Sequence, residues 1–211
     1  MAGRLPGLTG PLAWLGVAAA LALPASIGAA GLAAGPVPWL LHPDQGLQQP
    51  LSHLITCAWV HANTAHLLAN LAGLVLLTLL AWQVRVTPAT AALWLLSWPL
   101  THMALLLDPR LHSYYGMSGV LHAGATLLAL DIVQAGDKDN KLSAIPRWMG
   151  WVLLLGIPLK CVLENPHLLP VIDRPDLGMQ VAPLSHACGF GVAAIIWLGT
   201  RISRGPAKSP P

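Results

Sequence analysis

Long apolar stretches dominate the chain, and short segments with polar residues, glycine or proline separate them. About 20 consecutive apolar residues form a helix long enough to cross the hydrocarbon core of a bilayer. The pattern predicts six spans: Pro11–Ala34, Thr64–Trp82, Pro88–Leu107, Met117–Val133, Trp148–Leu163 and Pro183–Thr200. We therefore expect an all-α polytopic membrane protein with a six-helix bundle.

Composition supports a location in the lipid bilayer. Hydrophobic residues make up 55% of the 211 residues and charged residues 9%, and the mean hydropathy is +0.63, which leaves too little polar surface for a water-soluble domain. A signal peptide is the alternative reading of the first apolar run, but that run exceeds the about 7–15 apolar residues of such a peptide. We expect a short cytoplasmic N-terminus over residues 1–10, a membrane domain over 11–203 and a disordered cytoplasmic tail over 204–211.

Basic residues predict the orientation of the bundle. With a cytoplasmic N-terminus, Arg110 and Arg174 lie in outer segments, and eight basic residues lie inside: Arg4, Arg85, Lys138, Lys141, Arg147, Arg201, Arg204 and Lys208. The positive-inside rule then puts both termini in the cytoplasm, with Asp137 to Lys141 in a polar inner loop. The net charge of +3 reflects this topology, and we expect no nucleic-acid partner.

Polar side chains lie at one depth on three different spans. The second span begins near His61 and carries His66 and Asn70; the fourth begins at Ser118, and the sixth carries His186 close to its start. All three spans begin at the outer surface in the predicted topology. We therefore expect these groups to meet near the outer leaflet, where buried polar side chains usually mark a functional site.

Helical spacing relates these residues to one another. Residues three or four positions apart share a helix face, as do His66 with Asn70, Ser118 with His122, and His186 with Gly189. Gly116 and Gly119 flank Ser118 and allow close backbone approach. Small residues beside Ser118 and His186 would let their helices pack tightly. His61 is about 140° off the His66 face, which indicates a position on the preceding loop.

A serine beside a histidine indicates acyl transfer. The histidine takes the hydroxyl proton and returns it to a leaving amine. The helix N-terminus at Ser118 offers backbone N–H groups to a developing oxyanion. No carboxylate completes a triad, because Asp131 lies about 20 Å along the same helix and Asp176 lies in an outer loop. The sequence predicts a dyad of Ser118 and His186.

These motifs, in this order, resemble the rhomboid intramembrane serine proteases. The resemblance rests on His61, His66 and Asn70 in the second span, on the GxSG of Ser118 and on the HxxG of His186, and it covers about Pro50 to Gly199. It implies that Ser118 is the nucleophile, that His186 is the general base and that the three second-span residues contribute to the oxyanion site. It further implies membrane-anchored protein substrates, no cofactor, no metal, and a bacterial inner membrane with the site on the periplasmic side.

Shorter features are similar to the rhombosortase branch. They are the compact length, the run Ser118–His122, and the pair Lys160 and Glu164 near the end of the fifth span. Rhombosortases process proteins that carry a C-terminal Gly-Gly motif, a membrane helix and a basic tail. The segment Gly35–Val60 lacks the Trp-Arg pair that many bacterial rhomboids carry after their first core helix.

Structural alternatives exist for each residue. His122 could support the site through a hydrogen bond or could only pack, and Gly189 could likewise support the site. Ser118 could bond its own helix backbone, each histidine could be an interface residue, and Lys160 with Glu164 could be a structural ion pair. The three cysteines form no CxxC pair or disulfide framework and are expected to be packing residues. Two rival functions stay open: a non-catalytic rhomboid-like protein that binds membrane clients, and a metal or haem protein ligated by histidines.

Overall fold

The computed structural model describes residues 8–28, 38–139, 145–166 and 168–204. The fold is mostly helical. Its long helices are α1 (Thr9–Gly28), α3 (Thr64–Gln83), α4 (Pro88–Leu105), α5 (Ser118–Asp139), α6 (Arg147–Leu163) and α7 (Pro183–Arg204). Each predicted apolar segment therefore overlaps one long helix. Residues 29–34 of the first predicted span and 140–141 of the predicted inner loop lie outside the described residues. The ends of the predicted domains at residues 1–7 and 205–211 lie outside the described residues.

Three of these helices are long and apolar enough to cross a membrane by length and composition: α1, α3 and Pro183–Ser203 of α7. A shorter apolar helix covers Ser118–Gln134 within α5. Large apolar side chains are exposed on the outer faces of several helices, as at Leu76, Leu155 and Ile195. Such faces suit contact with lipid rather than water.

Side-chain caps and proline define where helices begin. The Asn63 side chain accepts a hydrogen bond from the His66 N–H at 2.8 Å before α3. Thr87 does the same for the Thr90 N–H at 3.1 Å before α4, whose first residue is Pro88. Such caps satisfy backbone donors that have no partner inside the helix.

Helix α5 continues beyond the predicted span. It ends at Asp139 rather than near Val133, so Asp137 belongs to the helix and not to a loop. The apolar window predicts where lipid ends, whereas a helix continues as long as its own backbone bonds are favourable. The predicted inner loop is therefore wrong at Asp137–Asp139.

Helix α5 is the centre of the fold. It packs against α3, α4, α6 and α7, while α1 packs against α3 and α4. The indoles of Trp14 and Trp94 stack with centroids 4.0 Å apart, and Trp94 donates its N–H to the Val120 carbonyl at 2.9 Å. These fully buried contacts link α1, α4 and α5.

Two connections between the long helices contain shorter elements. Between α1 and α3, the described chain contains the short helix α2 (His53–Thr56), flanked by 3-10 turns at Pro43–Gln48 and Cys57–Trp59. Between α6 and α7, β1 (Ile172–Arg174) pairs antiparallel with β2 (Met179–Val181). The Asn63 amide donates to the Gly178 carbonyl at 3.3 Å, so the hairpin tip contacts the start of α3.

Candidate active site

Ser118 and His186 meet where α5 and α7 cross. Ser118 is the first residue of α5, and His186 lies in the first turn of α7. The His186 Nε2 is 3.2 Å from the Ser118 Oγ. The structure therefore brings the two predicted dyad residues within hydrogen-bond distance.

Glycines make this crossing possible. A Cβ atom at Gly189 would collide with the Gly119 carbonyl, and one at Gly119 would lie 2.7 Å from the Ser185 carbonyl oxygen. Real Cβ atoms do not approach backbone this closely, so only glycine fits both positions. The expectation that small residues let these helices pack tightly is confirmed.

Gly116 shapes the backbone just before Ser118. Its φ is +104°, a conformation that residues with a Cβ rarely adopt. A Cβ there would also lie 2.9 Å from the His66 Cε1, and the Gly116 N–H donates to the Cys57 carbonyl at 2.9 Å. Glycine at this position brings the start of α5 close to the His66 ring.

A cavity of about 380 Å³ opens beside the Ser118 hydroxyl. Residues from α3, α5, α6, α7, the segment before α5 and the hairpin line it. Its polar or aromatic lining includes His66, Asn70, Tyr114, Tyr115, Ser118, Lys160, Gln180 and His186. The volume suits a short stretch of peptide beside the Ser118 hydroxyl.

His66 and Asn70 present N–H donors at this cavity. The Ala62 N–H donates to the His66 Nδ1 at 3.4 Å, which assigns the proton of a neutral ring to Nε2. The Asn70 Nδ2 is buried and has no hydrogen-bond partner among the described residues. A buried donor without a partner is costly, and a negatively charged oxygen formed in the cavity would satisfy it.

His61 lies behind His66 rather than in the cavity wall. Its ring meets the His66 ring edge-on with centroids 4.9 Å apart, and its Nδ1–H donates to the Trp59 carbonyl at 3.3 Å. Burial lowers the pKa of His61, which favours a neutral ring. His61 therefore supports the position of His66, and its predicted part in the oxyanion site stays a prediction.

His122 contacts both members of the predicted dyad. Its ring stacks on the His186 ring with centroids 4.1 Å apart and 17° between the planes. Its Nδ1–H donates to the Ser118 carbonyl at 2.7 Å. The side chain thus holds the His186 ring from one face.

A carboxylate also reaches His186. The Glu164 Oε2 is 2.7 Å from the His186 Nδ1, and the Lys160 Nζ donates to the Glu164 Oε1 at 2.7 Å. Glu164 follows the end of α6. Burial alone would raise its pKa, but hydrogen bonds from His186 and Lys160 outweigh burial and lower the pKa to about 2. Glu164 is therefore an anion at neutral pH.

Comparison with known families gives an identity to this arrangement. The rhomboid domain matches residues 48–202, which include every residue of the cavity. The chain belongs to the rhomboid family. Rhomboids are generally intramembrane serine proteases that act on membrane-embedded proteins, and with the apolar helices this match supports a multi-pass membrane protein. No curated protein and no solved structure matches the chain.

The sequence predicts an ion pair of Glu164 with Lys160 but not the contact of Glu164 with His186. Asp131 accepts a bond from the Thr90 hydroxyl at 2.6 Å, between α5 and α4. The position of Glu164 near the end of the fifth span is a signal for this contact with His186, because that end lies at the outer surface in the predicted topology.

Other features of this rhomboid bear on the open alternatives. Within the described ranges, no group of three His, Cys, Asp or Glu side chains has a metal-holding arrangement, so the ligated-metal alternative gains no support. Cys57, Cys161 and Cys188 are free thiols, as expected.

Tyr114 contacts the segment just before Ser118. The hydroxyl of the buried Tyr114 donates to the Gly116 carbonyl at 3.0 Å, and burial raises the Tyr114 pKa.

Proposed function

We propose that the chain is an intramembrane serine endopeptidase that uses Ser118 as nucleophile and His186 as general base. The observation that carries this proposal is the 3.2 Å contact between the Ser118 Oγ and the His186 Nε2 at a cavity inside a rhomboid domain. The neighbouring buried donors of His66 and Asn70 support it, because acyl transfer needs donors where the oxyanion forms.

The proton path follows from these positions. The Ser118 Oγ attacks the substrate carbonyl carbon as its proton passes to the His186 Nε2, and the carbonyl oxygen becomes an oxyanion. The C–N bond breaks when His186 gives that proton to the leaving amine, which leaves an acyl-serine. Water then attacks the acyl carbon, its proton goes to His186, and the proton returns to Ser118 as the acid product leaves.

The oxyanion receives hydrogen bonds in this proposal from the Asn70 amide, the His66 Nε2–H and the first backbone N–H groups of α5. All six long helices cross the membrane, both termini are cytoplasmic, and the site faces the periplasmic side of a bacterial inner membrane. The substrates are membrane-anchored proteins cut near this surface. No metal or cofactor takes part.

We further propose rhombosortase specificity, for substrates that end in a Gly-Gly motif, a membrane helix and a basic tail. The run Ser118–His122 and the pair Lys160 and Glu164 support this branch by resemblance. The outer-surface position of the cavity suits a cut just outside a substrate helix.

Labelling with a fluorophosphonate tests the nucleophile, because this reagent reacts with activated serines. We expect wild type to be labelled, and Ser118→Ala and His186→Ala to lose labelling while staying folded. Equal labelling of wild type and Ser118→Ala would contradict the assignment. Absent labelling of a folded wild type would favour a client-binding protein instead.

Co-expression with a membrane-tethered reporter tests specificity. The reporter ends in a Gly-Gly motif, a helix and a basic tail, and a matched control replaces both glycines by valine. We expect Ser118-dependent cleavage of the first reporter only. Equal cleavage of both would support a general rhomboid protease and rule out the rhombosortase assignment.

A further inference from the structure

His186 has two candidate partners at one nitrogen. Its Nδ1 is 2.7 Å from the Glu164 Oε2 and 3.2 Å from the Lys160 Nζ. A neutral imidazole nitrogen either donates or accepts, so it cannot serve both partners at once. If Nδ1 accepted from Lys160, the proton would lie on Nε2 and His186 could not take the Ser118 proton.

The charges of the two partners decide between these states. Glu164 is ionised, as its lowered pKa indicates, and an ionised carboxylate can only accept a hydrogen bond. The Glu164 contact is also the shorter of the two, and Lys160 has a donor contact of its own to the other carboxylate oxygen at 2.7 Å. The His186 Nδ1 therefore donates to Glu164, and the Nε2 lone pair faces Ser118.

Burial makes this contact effective. The His186 side chain is 6% exposed and the Glu164 side chain 26%, whereas Lys160 is 49% exposed. An exposed ion pair contributes little free energy, but a carboxylate against a buried ring orients the ring and stabilises its protonated form. Lys160 offsets part of that effect because it shares the same carboxylate.

We propose that Glu164 is a positioning residue that orients His186 through Nδ1, and that Lys160 tunes it by neutralising part of the Glu164 charge. This inference rests on the proposed protease function. The predicted dyad of Ser118 and His186 then gains a supporting carboxylate, that of Glu164. Glu164 is itself paired with Lys160, four residues earlier, at the end of α6.

The charged and titratable groups around His186 determine at which pH the labelling rate falls on the acidic side. Lys160 and Glu164 face it from α6, His122 stacks on it from α5, and His66 acts on it electrostatically from α3. The acidic limb of the rate profile follows protonation of the free general base. A nearby anion moves that limb to higher pH, and a nearby cation moves it to lower pH.

The test measures the rate of fluorophosphonate labelling at Ser118 across the acidic and neutral pH range, with purified full-length protein in detergent. We expect Glu164→Gln to lower the rate by about 10²-fold and to move the acidic limb to lower pH. This loss is below the about 10⁴-fold seen for a buried triad carboxylate, because Glu164 is partly exposed and paired.

Lys160→Gln is the matched variant, because it breaks the same ion pair and leaves Glu164 in place. We expect its acidic limb to move to higher pH, opposite to that of Glu164→Gln. If both variants slow labelling equally with unmoved limbs, the pair is only structural and the inference is overturned. If Glu164→Gln does not fold, the result for Lys160→Gln decides by itself: an acidic limb at the wild-type pH overturns the inference.

The outcome separates this inference from the proposed function. A wild type that is not labelled at Ser118 removes the protease proposal itself. A wild type that is labelled, together with a Glu164→Gln protein of unchanged rate and limb, leaves the protease and removes the positioning role. Thermal unfolding in the same detergent verifies that each variant is folded.

Discussion

At the residue scale, Asn70 combines burial with an unused hydrogen-bond donor. It lies four residues after His66, so both side chains reach the cavity from one face of α3. Leaving an amide donor buried without a partner costs free energy in the empty enzyme. In the proposed mechanism that cost is recovered when an oxyanion forms beside Asn70, which favours the transition state over the free enzyme.

We expect Asn70→Ala to lower kcat by about 10²–10³-fold with little change in KM, because one oxyanion donor is removed. Steady-state cleavage of a membrane-tethered reporter measures both constants. Ser97→Ala is the control, because the Ser97 hydroxyl is buried and donates to the Trp94 carbonyl away from the cavity. Equal kcat values for Asn70→Ala and wild type would exclude Asn70 from the oxyanion site.

Residue identity and depth were enough to predict most of this site. Ser118, His66, Asn70 and His186 carry polar groups at one membrane depth, and the structure brings all four to one cavity. Residue identity and depth did not predict which group the Glu164 carboxylate faces. An i, i+4 spacing shows that it can reach Lys160, but not that its second oxygen faces a histidine on another helix.

At the element scale, the crossing of α5 and α7 is set by backbone contact. Gly189 lies against the Gly119 carbonyl with no room for a methyl group, whereas a Cβ at Gly191 on the same helix would meet nothing within 4 Å. The two glycines therefore allow a matched comparison within a single turn of α7.

We expect Gly189→Ala to destabilise the protein by about 1–3 kcal/mol, because the added methyl group must push the helices apart. It should also slow labelling of Ser118, since the Ser118–His186 distance depends on this contact. Gly191→Ala should change neither property. Thermal unfolding in detergent and the labelling rate are the measurements, and equal effects of the two variants would contradict the close crossing.

Hydrophobic pattern predicts long helices better than short elements. The helix over Thr64–Gln83 matches its predicted span at its first residue and differs by one residue at its end. By contrast, β1 and β2 have three residues each and lie in a polar connection. Strands this short carry too few alternating positions for a periodicity to be recognised.

At the scale of the whole molecule, the proposed topology places the hairpin and the end of α7 on opposite sides of the membrane. The proposal rests on the excess of basic residues in the predicted inner segments. Asp176 in the hairpin and Ser203 near the end of α7 are both exposed, so each can report its own side.

We expect Asp176→Cys to react with a membrane-impermeant maleimide in cells whose outer membrane has been opened. Ser203→Cys should react only after the inner membrane is broken. The background replaces Cys57, Cys161 and Cys188 by alanine, so that only the introduced thiol reports. The reverse labelling pattern would place the site on the cytoplasmic side.

Asn63 contacts α3 and the hairpin through different atoms. Its Oδ1 accepts from the His66 N–H and caps α3, while its Nδ2 donates to the Gly178 carbonyl at the hairpin tip. Moving the hairpin aside would break the second bond and leave the first intact. Displacement of the hairpin would therefore not by itself uncap the helix that carries His66 and Asn70, because the cap and the hairpin contact use different atoms of one side chain.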